Sequence, residues 1–519
     1  MSDLDVKSAS TTPPRRKVRW GRWLLLVVVL GGVYALVQGH GWRHEIVAWI
    51  RKLIFPHTDG GWKPDPNPQV LTQGTWDPAI HFDRVLLPIA DGHGYTAVKI
   101  GPDGRLYAAT FEGLIYRFPI RPDGTLESPT IIDTIPKTEG KPRLLIGFCF
   151  DPASTADNPI VWTTHSFGAV NECPDWTGKV SRLRGKDLEI DEDVVVDLPR
   201  SIHDHSTNQL EFGPDGALYI PQGSNSSCGA PDEYWGMRPE RLLNASILRL
   251  DVKKVTPGQP IDAKTPDGGG SYDPYARGAP LTIYAGGLRN AYSLVWHRNG
   301  HLYVPVNGAG IDGNTPAGNG VEGLPSIPEA EHDWLDRVNE GKYYGHPNPQ
   351  QHHFVMNGGH PDDDLKSYDV HEYRLGTPPD IDYEPPILDF GSHCSADGII
   401  EYKGNAFHGH LDGKLLVCRY NNGQDILCVG LDAEGNVAVD KNGDRDLITG
   451  EGLIDFQTPL ALTEDLRNGN LYVTEYGTKH IVLLKPGMPT PAASSRPATR
   501  PSSDGESRTA NPVGHPAND

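Results

Sequence analysis

The sequence predicts an all-β protein of the propeller type. The evidence is a short motif in which an Asp-Gly or Asn-Gly turn precedes a strand rich in Leu, Tyr and Val. Its copies are GPDGRLYAAT from Gly101, GPDGALYIPQ from Gly213, HRNGHLYVPV from His297, LRNGNLYVTE from Leu466 and, more weakly, LDGKLLVCRY from Leu411. Gly and Asn supply the positive backbone angles of a hairpin turn cheaply. One turn-and-strand unit repeated along so much of the chain favours radial β repetition, although a sandwich or a barrel also uses such hairpins.

The composition supports the same fold class. The chain contains 59 Gly and 46 Pro among 519 residues, together with 20 Tyr. Turn residues at this density, between short runs of Val, Leu and Ile, are typical of turn-rich β structure. We place the β-propeller domain at residues 75–486, a length that allows a large core.

The N-terminus predicts a membrane anchor. A basic arm over residues 1–22 precedes an apolar run over 23–39, the pattern of a signal-anchor helix. No small-residue cleavage site follows, so we expect one retained transmembrane helix, with a cleaved signal peptide as the alternative. Because basic flanks stay in the cytoplasm, the β-propeller domain is expected on the periplasmic or extracytoplasmic side of the membrane.

The segments around the domain are predicted to be simple. Residues 40–74 combine an amphipathic helix over 42–55 with a Pro-rich linker, and that helix lies either at the membrane surface or against the propeller. Residues 487–519 are rich in Pro, Ser and Thr and poor in apolar side chains. Such a tail buries too little surface to offset the entropy of ordering it, so we expect disorder.

The charge balance excludes nucleic acid as the main partner. The chain has 67 acidic and 47 basic residues, and several basic ones lie in the arm and the amphipathic helix. Phosphate recognition needs a basic surface patch, which a strongly acidic exported domain does not offer.

Three blocks occur in order along the predicted domain. They are HSTNQLEFGPDGALY from His205, GLRN from Gly287 and DWLDRVNEGKYYGHP from Asp333. Together they resemble the glucose/sorbosone dehydrogenase family, which uses pyrroloquinoline quinone (PQQ). Two further stretches, 223–228 and 392–398, are similar to its sorbosone-type branch. The resemblance implies a six-bladed propeller, a calcium-assisted PQQ on the central axis, and oxidation of an aldose or a related sugar aldehyde or alcohol.

The chemistry of that reaction selects two candidate catalytic residues. Removing a sugar hydroxyl proton needs a base, and a neutral imidazole suits this role, which the resemblance gives to His205. No side chain accepts a hydride well, so a cofactor is required. Arg289 is always charged and could stabilise the reduced quinone, with Asn290 orienting it. The matched blocks also lead us to expect cofactor contacts from Asn208, Tyr344 and His393.

Acidic side chains in the third block suggest where calcium would bind. Ca²⁺ prefers about six to eight oxygen ligands. Glu331, Asp333 and Asp336 follow a loop rich in Gly and Asn over 307–323, whose carbonyls could complete a site. The run 362–364 is a second acidic cluster, although a charge run is more often a solvated loop.

The histidines support a different hypothesis. His203 and His205 lie two apart and would share one face of an extended strand. With His393 as a third ligand they could bind a transition metal, so a metal-dependent lactonase or hydrolase is an alternative. A solvent-facing loop position is the simpler interpretation of His203.

Six cysteines are expected to be partly paired in an exported protein. Cys173 with Cys228, in loops rich in Asn, Ser and Pro, is the favoured pair, and Cys418 could face Cys428 across a hairpin; Cys149 is expected to be a buried thiol. No Cys-x-x-Cys-His occurs, so no haem is covalently attached. Electrons would pass to a separate acceptor, a quinone or a cytochrome.

Departures from the family bear on the cofactor. The family's Gln falls at Pro142, its Lys falls near Asn421, and its paired Arg residues have no match around 457–460. PQQ carries three carboxylates, so lost cations weaken its binding. Arg143 and Arg419 could compensate. If they do not, the alternative is a non-catalytic propeller that binds glycan or protein.

Overall fold

A computed structural model describes residues 71–364 and 366–487 of the chain. The predicted basic arm, the predicted anchor, nearly all of the 40–74 segment and the tail beyond residue 487 lie outside these residues. Within them, no helix is both long enough and apolar enough to cross a membrane. The fold is all-β and propeller-like, as predicted.

Strand β1 (Thr75–Leu86) begins the fold, and the next strands form two sheets. The first sheet has the order β2 (Tyr95–Ile100), β3 (Leu106–Thr110), β4 (Ile115–Phe118) and β5 (Thr130–Ile132). The described residues contain one α-helix, α1 (Thr134–Glu139), which leads into the second sheet. That sheet consists of β6 (Arg143–Phe150), β7 (Val161–Phe167), β8 (Gly178–Arg184) and β9 (Ile190–Leu198).

Two more sheets follow in chain order. The third consists of β10 (Glu211–Phe212), β11 (Leu218–Gln222), β12 (Ser246–Leu250) and, after β13 (Ile261–Asp262), β14 (Leu281–Gly286). Strand β13 is not part of this sheet; it pairs in parallel with β9 and is the fifth strand of the second sheet. The fourth sheet consists of β15 (Val295–Trp296), β16 (Leu302–Val306), β17 (His332–Val338) and β18 (Leu388–Ser392).

The fifth sheet has eight strands and joins the two ends of the domain. Its first half is β19 (Ala396–Glu401), β20 (Leu415–Arg419), β21 (Asp425–Val429) and β22 (Leu447–Glu451). Its second half is β23 (Pro459–Asp465), β24 (Asn470–Glu475), β25 (His480–Pro486) and β1. Strand β1 pairs in parallel with β22 and in antiparallel fashion with β25, so it links the halves.

The innermost strands close a ring. β2 contacts β6, β6 contacts β10, β10 contacts β15, β15 contacts β19, β19 contacts β23, and β23 returns to β2. Apolar clusters fill the spaces between neighbouring sheets; one of them combines Val98 and Leu106 of the first sheet with Tyr472 and Leu483 of the fifth. Short 3-10 turns occur at Pro88–Ala90, Val252–Lys254, Pro266–Gly268, Pro349–Gln351 and Ala406–Gly409.

The repeated motif marks the hairpin between the first and second strands of a group. Its glycines have positive φ angles, for example 71° at Gly104 and 77° at Gly216. The motif tyrosine fastens this turn, because the Tyr107 hydroxyl donates to Asp103 at 3.0 Å and the Tyr219 hydroxyl to Asp215 at 3.3 Å. The β6–β7 hairpin has the longer loop 151–160 instead, which explains why no repeat was found there.

Candidate active site

His205 lies in the loop between β9 and β10 and is 4% exposed. Its Nδ1 atom is 3.2 Å from the carbonyl oxygen of Ser224 and 3.0 Å from the Ser224 hydroxyl oxygen. The imidazole packs on the Trp235 indole, with ring centroids 4.2 Å apart and the planes tilted by 37°. Burial, and then the nearby Arg289 charge, hold the pKa of His205 well below its usual 6.5. The ring is therefore neutral at neutral pH.

Arg289 follows β14 and reaches the same indole. Its Nε donates to the Ser227 carbonyl at 2.9 Å and its Nη1 to the Gly308 carbonyl at 2.7 Å. The guanidinium carbon lies 5.7 Å from the Trp235 ring centroid. Its Nη2 makes no hydrogen bond with any described residue. The structure thus brings His205 and Arg289, 84 positions apart in the chain, to opposite ends of one contact network around Trp235.

Asn208 and Asn290 join this network. The Asn208 amide donates to Asn290 Oδ1 and to the Ala291 carbonyl, each at 2.9 Å. Gly223 lies against both sides of the network, because a Cβ added there would come within 2.8 Å of the His205 Cβ and 3.0 Å of Asn290 Oδ1. A side chain at residue 223 would therefore push His205 and Asn290 apart.

A segment of three residues after β16 separates Arg289 from a group of carboxylates. The backbone N–H of Gly308 donates to Asp333 at 2.9 Å, and that of Ala309 donates to Glu331 at 2.7 Å. The Asn307 amide donates to Asp397 at 3.0 Å. Two of the three predicted calcium ligands, Glu331 and Asp333, therefore lie close to Arg289.

Asp397 is a member of this group that the sequence did not reveal. Ser395 links it to Asp333, because the Ser395 hydroxyl donates to Asp397 at 3.0 Å and the Ser395 N–H donates to Asp333 at 2.6 Å. Burial, with a contribution from the Asp333 charge, raises the pKa of Asp397 to about 8. Burial also raises the pKa of Asp333 and of Glu331. Buried carboxylates with raised pKa values would be stabilised in their charged form by a cation.

Two predicted site residues lie elsewhere. Asp336 is on β17 beside the charge of Glu384, and burial raises its pKa well above the usual value. The Tyr344 hydroxyl donates to the Arg337 carbonyl at 2.9 Å, so it faces the fourth sheet. Strand alternation explains the position of Asp336: side chains three residues apart on one strand point to opposite faces, and the extra residue of the bulge opposite Asp333 and Trp334 lies on β18.

His393 remains next to the acidic group, where its imidazole interacts with the Asp333 carboxylate. His203, by contrast, is not available as a metal ligand beside His205. Its Nδ1 is 2.9 Å from Asn171 Oδ1 and its Nε2 is 2.8 Å from the Tyr234 carbonyl. The three-histidine metal site expected as an alternative is therefore not formed.

The described residues contain one cluster of three possible metal ligands, Glu139, His165 and Asp193. The ligand atoms of these three side chains all lie within 4.8 Å of one another. Lys179 occupies that cluster, because its ammonium contacts both Glu139 and Asp193. Glu331, Asp333 and Asp336 do not form such a set. A calcium ion beside Asp333 would need backbone or cofactor oxygens as well.

The arginines expected to compensate for lost cations are engaged. Arg143 donates to His165 Nδ1 at 3.1 Å and to the Thr177 carbonyl at 2.7 Å. Arg419 forms a two-pronged ion pair with Asp425, with distances of 2.7 and 2.5 Å. Neither residue offers a free charge to a ligand.

All six cysteines are free buried thiols, so the expected pairing of Cys173 with Cys228 is wrong. The Cys173 thiol donates to the Ala169 carbonyl, and Cys228 packs in an apolar cluster with Ala309. Cys418 and Cys428 lie on neighbouring strands but are out of register, because Cys418 pairs with Ile426.

Solved structures share this fold. The holo PQQ domain of pyranose dehydrogenase from Coprinopsis cinerea matches with a TM-score of 0.52 and 13% identity, over 82% of this chain and 99% of that one. The calcium structure of a Trichoderma reesei carbohydrate-active enzyme of family AA12 matches with a TM-score of 0.51 and 16% identity, over 83% and 100%.

The chain has the fold of these two proteins. The resemblance to sugar dehydrogenases seen in the sequence is therefore confirmed at the level of the fold. PQQ-bound aldose sugar dehydrogenase from Streptomyces coelicolor is a further match, with a TM-score of 0.47 and 16% identity over 78% of this chain and 98% of that one. No family model matches the sequence.

The cationic groups near His205 limit how well PQQ would fit this site. The three carboxylates of PQQ need cationic partners, and around His205 the described residues offer one unengaged guanidinium nitrogen, Nη2 of Arg289. Glu331, Asp333 and Asp397 place three carboxyl groups in the same region. Burial is the main cause of their raised pKa values and outweighs the nearby Arg289 and His393 charges, so a bound cation would favour their charged form. The residues therefore fit PQQ accompanied by a divalent cation, and do not fit the quinone alone.

Proposed function

We propose that this protein is an oxidoreductase that oxidises a sugar alcohol or aldehyde carbon with PQQ and Ca²⁺ as cofactors. The observation that carries the proposal is the convergence of His205 and Arg289 on Trp235, which combines a neutral base with a fixed positive charge. The fold shared with the PQQ domain of a pyranose dehydrogenase supports it.

In this proposal His205 removes the proton of the reacting hydroxyl group. Its Nε2 makes no hydrogen bond with any described residue, so this nitrogen can accept a proton. A positioned base of this kind contributes about 10²–10⁴-fold to the rate. The depressed pKa keeps the imidazole neutral, and therefore competent as a base, well below pH 6.5.

Arg289 would bind the quinone through Nη2 and stabilise negative charge that develops on it. Its Nε and Nη1 bonds to two backbone carbonyls hold the guanidinium in place before any ligand arrives. Asn290, held by Asn208, would supply a neutral hydrogen-bonding group beside it. When bound, PQQ supplies the two-electron acceptor that no side chain provides.

Asp333, with Asp397 beside it, would hold the cation, and His393 would flank it. The oxygen-rich character of this group suits Ca²⁺. We further propose that the eight-stranded sheet counts as two blades linked by β1, which gives six blades. The protein would work on the extracytoplasmic side of a membrane, tethered by the 23–39 segment, and pass its electrons to a separate acceptor.

The test is reconstitution of the purified full-length protein with PQQ and Ca²⁺, followed by dye reduction with a panel of aldoses. Activity that needs both additions and is lost in His205→Gln supports the proposal. His203→Gln is the matched control, because His203 is the neighbouring imidazole with both nitrogens engaged. If the protein is folded but does not bind PQQ with or without Ca²⁺, the proposed PQQ-dependent function is rejected.

A second candidate is a propeller that binds a ligand without redox chemistry. It is favoured by the engagement of Arg143 and Arg419 with other residues, and by Arg200, whose guanidinium is used up in bonds that include one to the His205 carbonyl at 2.7 Å. In that case, calorimetry should detect binding of a glycan or a peptide while titration with PQQ produces no spectral change, in the presence or absence of Ca²⁺.

A further inference from the structure

The loop between β11 and β12 contains a buried network that ends at His205. Its members in that loop are Ser224, Ser226 and Glu240; His346, which follows β17, joins them, and each of the four is at most 5% exposed. Glu240 is the centre of this network, and its carboxylate lies 2% exposed with hydrogen-bond donors on several sides. None of these residues was expected to be functional from the sequence.

Hydrogen-bond directions along the network are fixed at each step. The Ser226 hydroxyl donates to Glu240 Oε1 at 2.5 Å, because a carboxylate only accepts. The Ser224 hydroxyl donates its one proton to the Ser226 carbonyl at 2.9 Å, because a carbonyl also only accepts. The Ser224 oxygen therefore has no proton left for His205.

His205 must then donate. Its Nδ1 atom faces two oxygens of Ser224, the carbonyl at 3.2 Å and the hydroxyl at 3.0 Å, and both are acceptors in this arrangement. Nδ1 therefore carries the proton in the neutral ring. The lone pair is then on Nε2, the nitrogen without a hydrogen bond to a described residue.

Glu240 holds this arrangement in place from a distance. Its carboxylate accepts from the backbone N–H groups of Asn225 at 3.0 Å and Ser226 at 2.9 Å. These bonds fix the Ser226 carbonyl toward Ser224. His346 donates from Nε2 to the same carboxylate at 3.1 Å, which fixes the orientation of Glu240.

We propose that Glu240, acting through Ser226 and Ser224, is a positioning residue that holds His205 in its Nδ1-protonated form with Nε2 free to accept a proton. The catalytic meaning of this inference rests on the proposed function, but the tautomer itself does not. Among the described residues, no carboxylate is hydrogen-bonded to the His205 ring, so two serines in series stand where a base–carboxylate pair is usual.

The direct test is the tautomer of His205 in full-length protein labelled with ¹⁵N-histidine. Long-range ¹H–¹⁵N spectra distinguish a protonated ring nitrogen from an unprotonated one, and the signals lost in His205→Gln identify residue 205. We expect a protonated Nδ1 and an unprotonated Nε2 across neutral pH. The opposite assignment would overturn the proposal whether or not the protein is an enzyme.

Variants then test the network. Ser224→Ala removes the closer of the two acceptors of Nδ1 and leaves the Ser224 carbonyl at 3.2 Å, so this variant should raise the share of the Nε2-protonated form without making it the main one. Ser226→Ala, and Glu240→Gln if it folds, should shift the tautomers in the same direction. Ser206→Ala and Asp232→Asn are the matched controls. Ser206 is a buried serine adjacent to His205, and Asp232 is a buried carboxylate in the same loop that accepts from Ser227 and Trp235. A single unchanged tautomer in Ser224→Ala and Ser226→Ala would reject the role of the network.

Activity provides a separate readout. Loss of one neutral hydrogen bond is worth about 1 kcal/mol, so Ser224→Ala should lower kcat roughly 5-fold with little change in KM. Ser224→Thr retains a hydroxyl group and should restore kcat. Ser224→Ala and Ser224→Thr could instead lose kcat equally while His205 keeps its wild-type tautomer in both. That result would show that Ser224 has a merely structural role.

Discussion

The two sides of the candidate site differ in the charge that their side chains can carry. On the His205 side, a neutral imidazole lies near the Arg289 guanidinium, and neither His205 Nε2 nor Arg289 Nη2 makes a hydrogen bond with a described residue. On the acidic side, Asp333 and Asp397 are buried and Glu331 is half-buried, and burial raises the pKa values of all three. In the proposed function, the first side would supply the base and the positive charge, and the second side would hold the cation.

This difference suggests a division of labour. A base works best when its orientation is fixed before the substrate arrives, which hydrogen bonds to backbone carbonyls achieve. A cation site needs charge that is uncompensated until the ion binds, which burial of carboxylates achieves. The segment 307–309 separates the two sides and contacts both. Arg289 donates to the Gly308 carbonyl of this segment. On the other side, the Gly308 N–H donates to Asp333 and the Asn307 side-chain amide donates to Asp397.

The largest effect should come from the base itself. His205→Gln should lower kcat/KM by about 10²–10⁴-fold, because Gln cannot accept the hydroxyl proton. Steady-state dye reduction measures this, with circular dichroism to show that the variant is folded. A loss of similar size in His203→Gln would show that the loop, rather than the imidazole of residue 205, is responsible.

Arg289 should have the next largest effect. Arg289→Ala removes a charge-assisted contact worth about 1.5–3 kcal/mol, so the affinity for PQQ should fall roughly 10- to 100-fold. Titration of the quinone absorbance reports this affinity. Arg289→Lys should recover part of it, since an ammonium restores the charge without the guanidinium's fixed fork. Unchanged quinone affinity in Arg289→Ala would place the cofactor elsewhere.

The acidic side should respond to calcium. At a concentration one hundred times its Kd, a bound ion stabilises the folded state by about 2.7 kcal/mol. We expect Ca²⁺ to raise the Tm of the wild-type protein and to have little effect on Asp333→Asn. Asp336→Asn is the matched control, because Asp336 is an equally buried acid on the same strand that faces away from the site. Identical responses of the two variants would remove Asp333 from the cation site.

Asp397 should make stability depend on pH in calcium-free buffer. Its pKa in the folded state, about 8, lies above the value for an unfolded Asp. The stability it contributes is therefore fully present below about pH 4 and is lost as pH rises through 8. The Tm of the wild-type protein should fall relative to that of Asp397→Asn by a few degrees over this range. Parallel curves for the two proteins would contradict the raised pKa.

The smallest expected effect is that of pH on kcat/KM through His205. Because the pKa of His205 lies well below 6.5, kcat/KM should not fall between pH 8 and pH 6 through protonation of this residue. A pH profile of the wild-type protein tests this. A fall in the wild-type kcat/KM near pH 6.5 would show that burial does not depress the pKa of His205.

The sequence alone determined the fold class and the positions of the main candidate residues. Turn glycines and motif tyrosines act locally, so the hairpins at Gly104 and Gly216 could be predicted from a few residues. His205, Arg289, Asn290 and Asp333 were found because each lies in a short block that resembles a known family. Trp235 lies outside all of the matched stretches, and Asp397 lies in the matched stretch 392–398 but was not recognised there as a member of the acidic group.

Only the tertiary structure decided which of these residues meet and in what chemical state. Whether Asp333 lies beside the segment 307–309 and whether Arg143 is free depend on partners more than twenty positions away. The free thiols of Cys173 and Cys228 and the tautomer of His205 depend likewise on contacts between distant segments. The reason is that local propensity sets turns and strands, whereas burial and hydrogen-bond direction arise when separate blades pack around one axis.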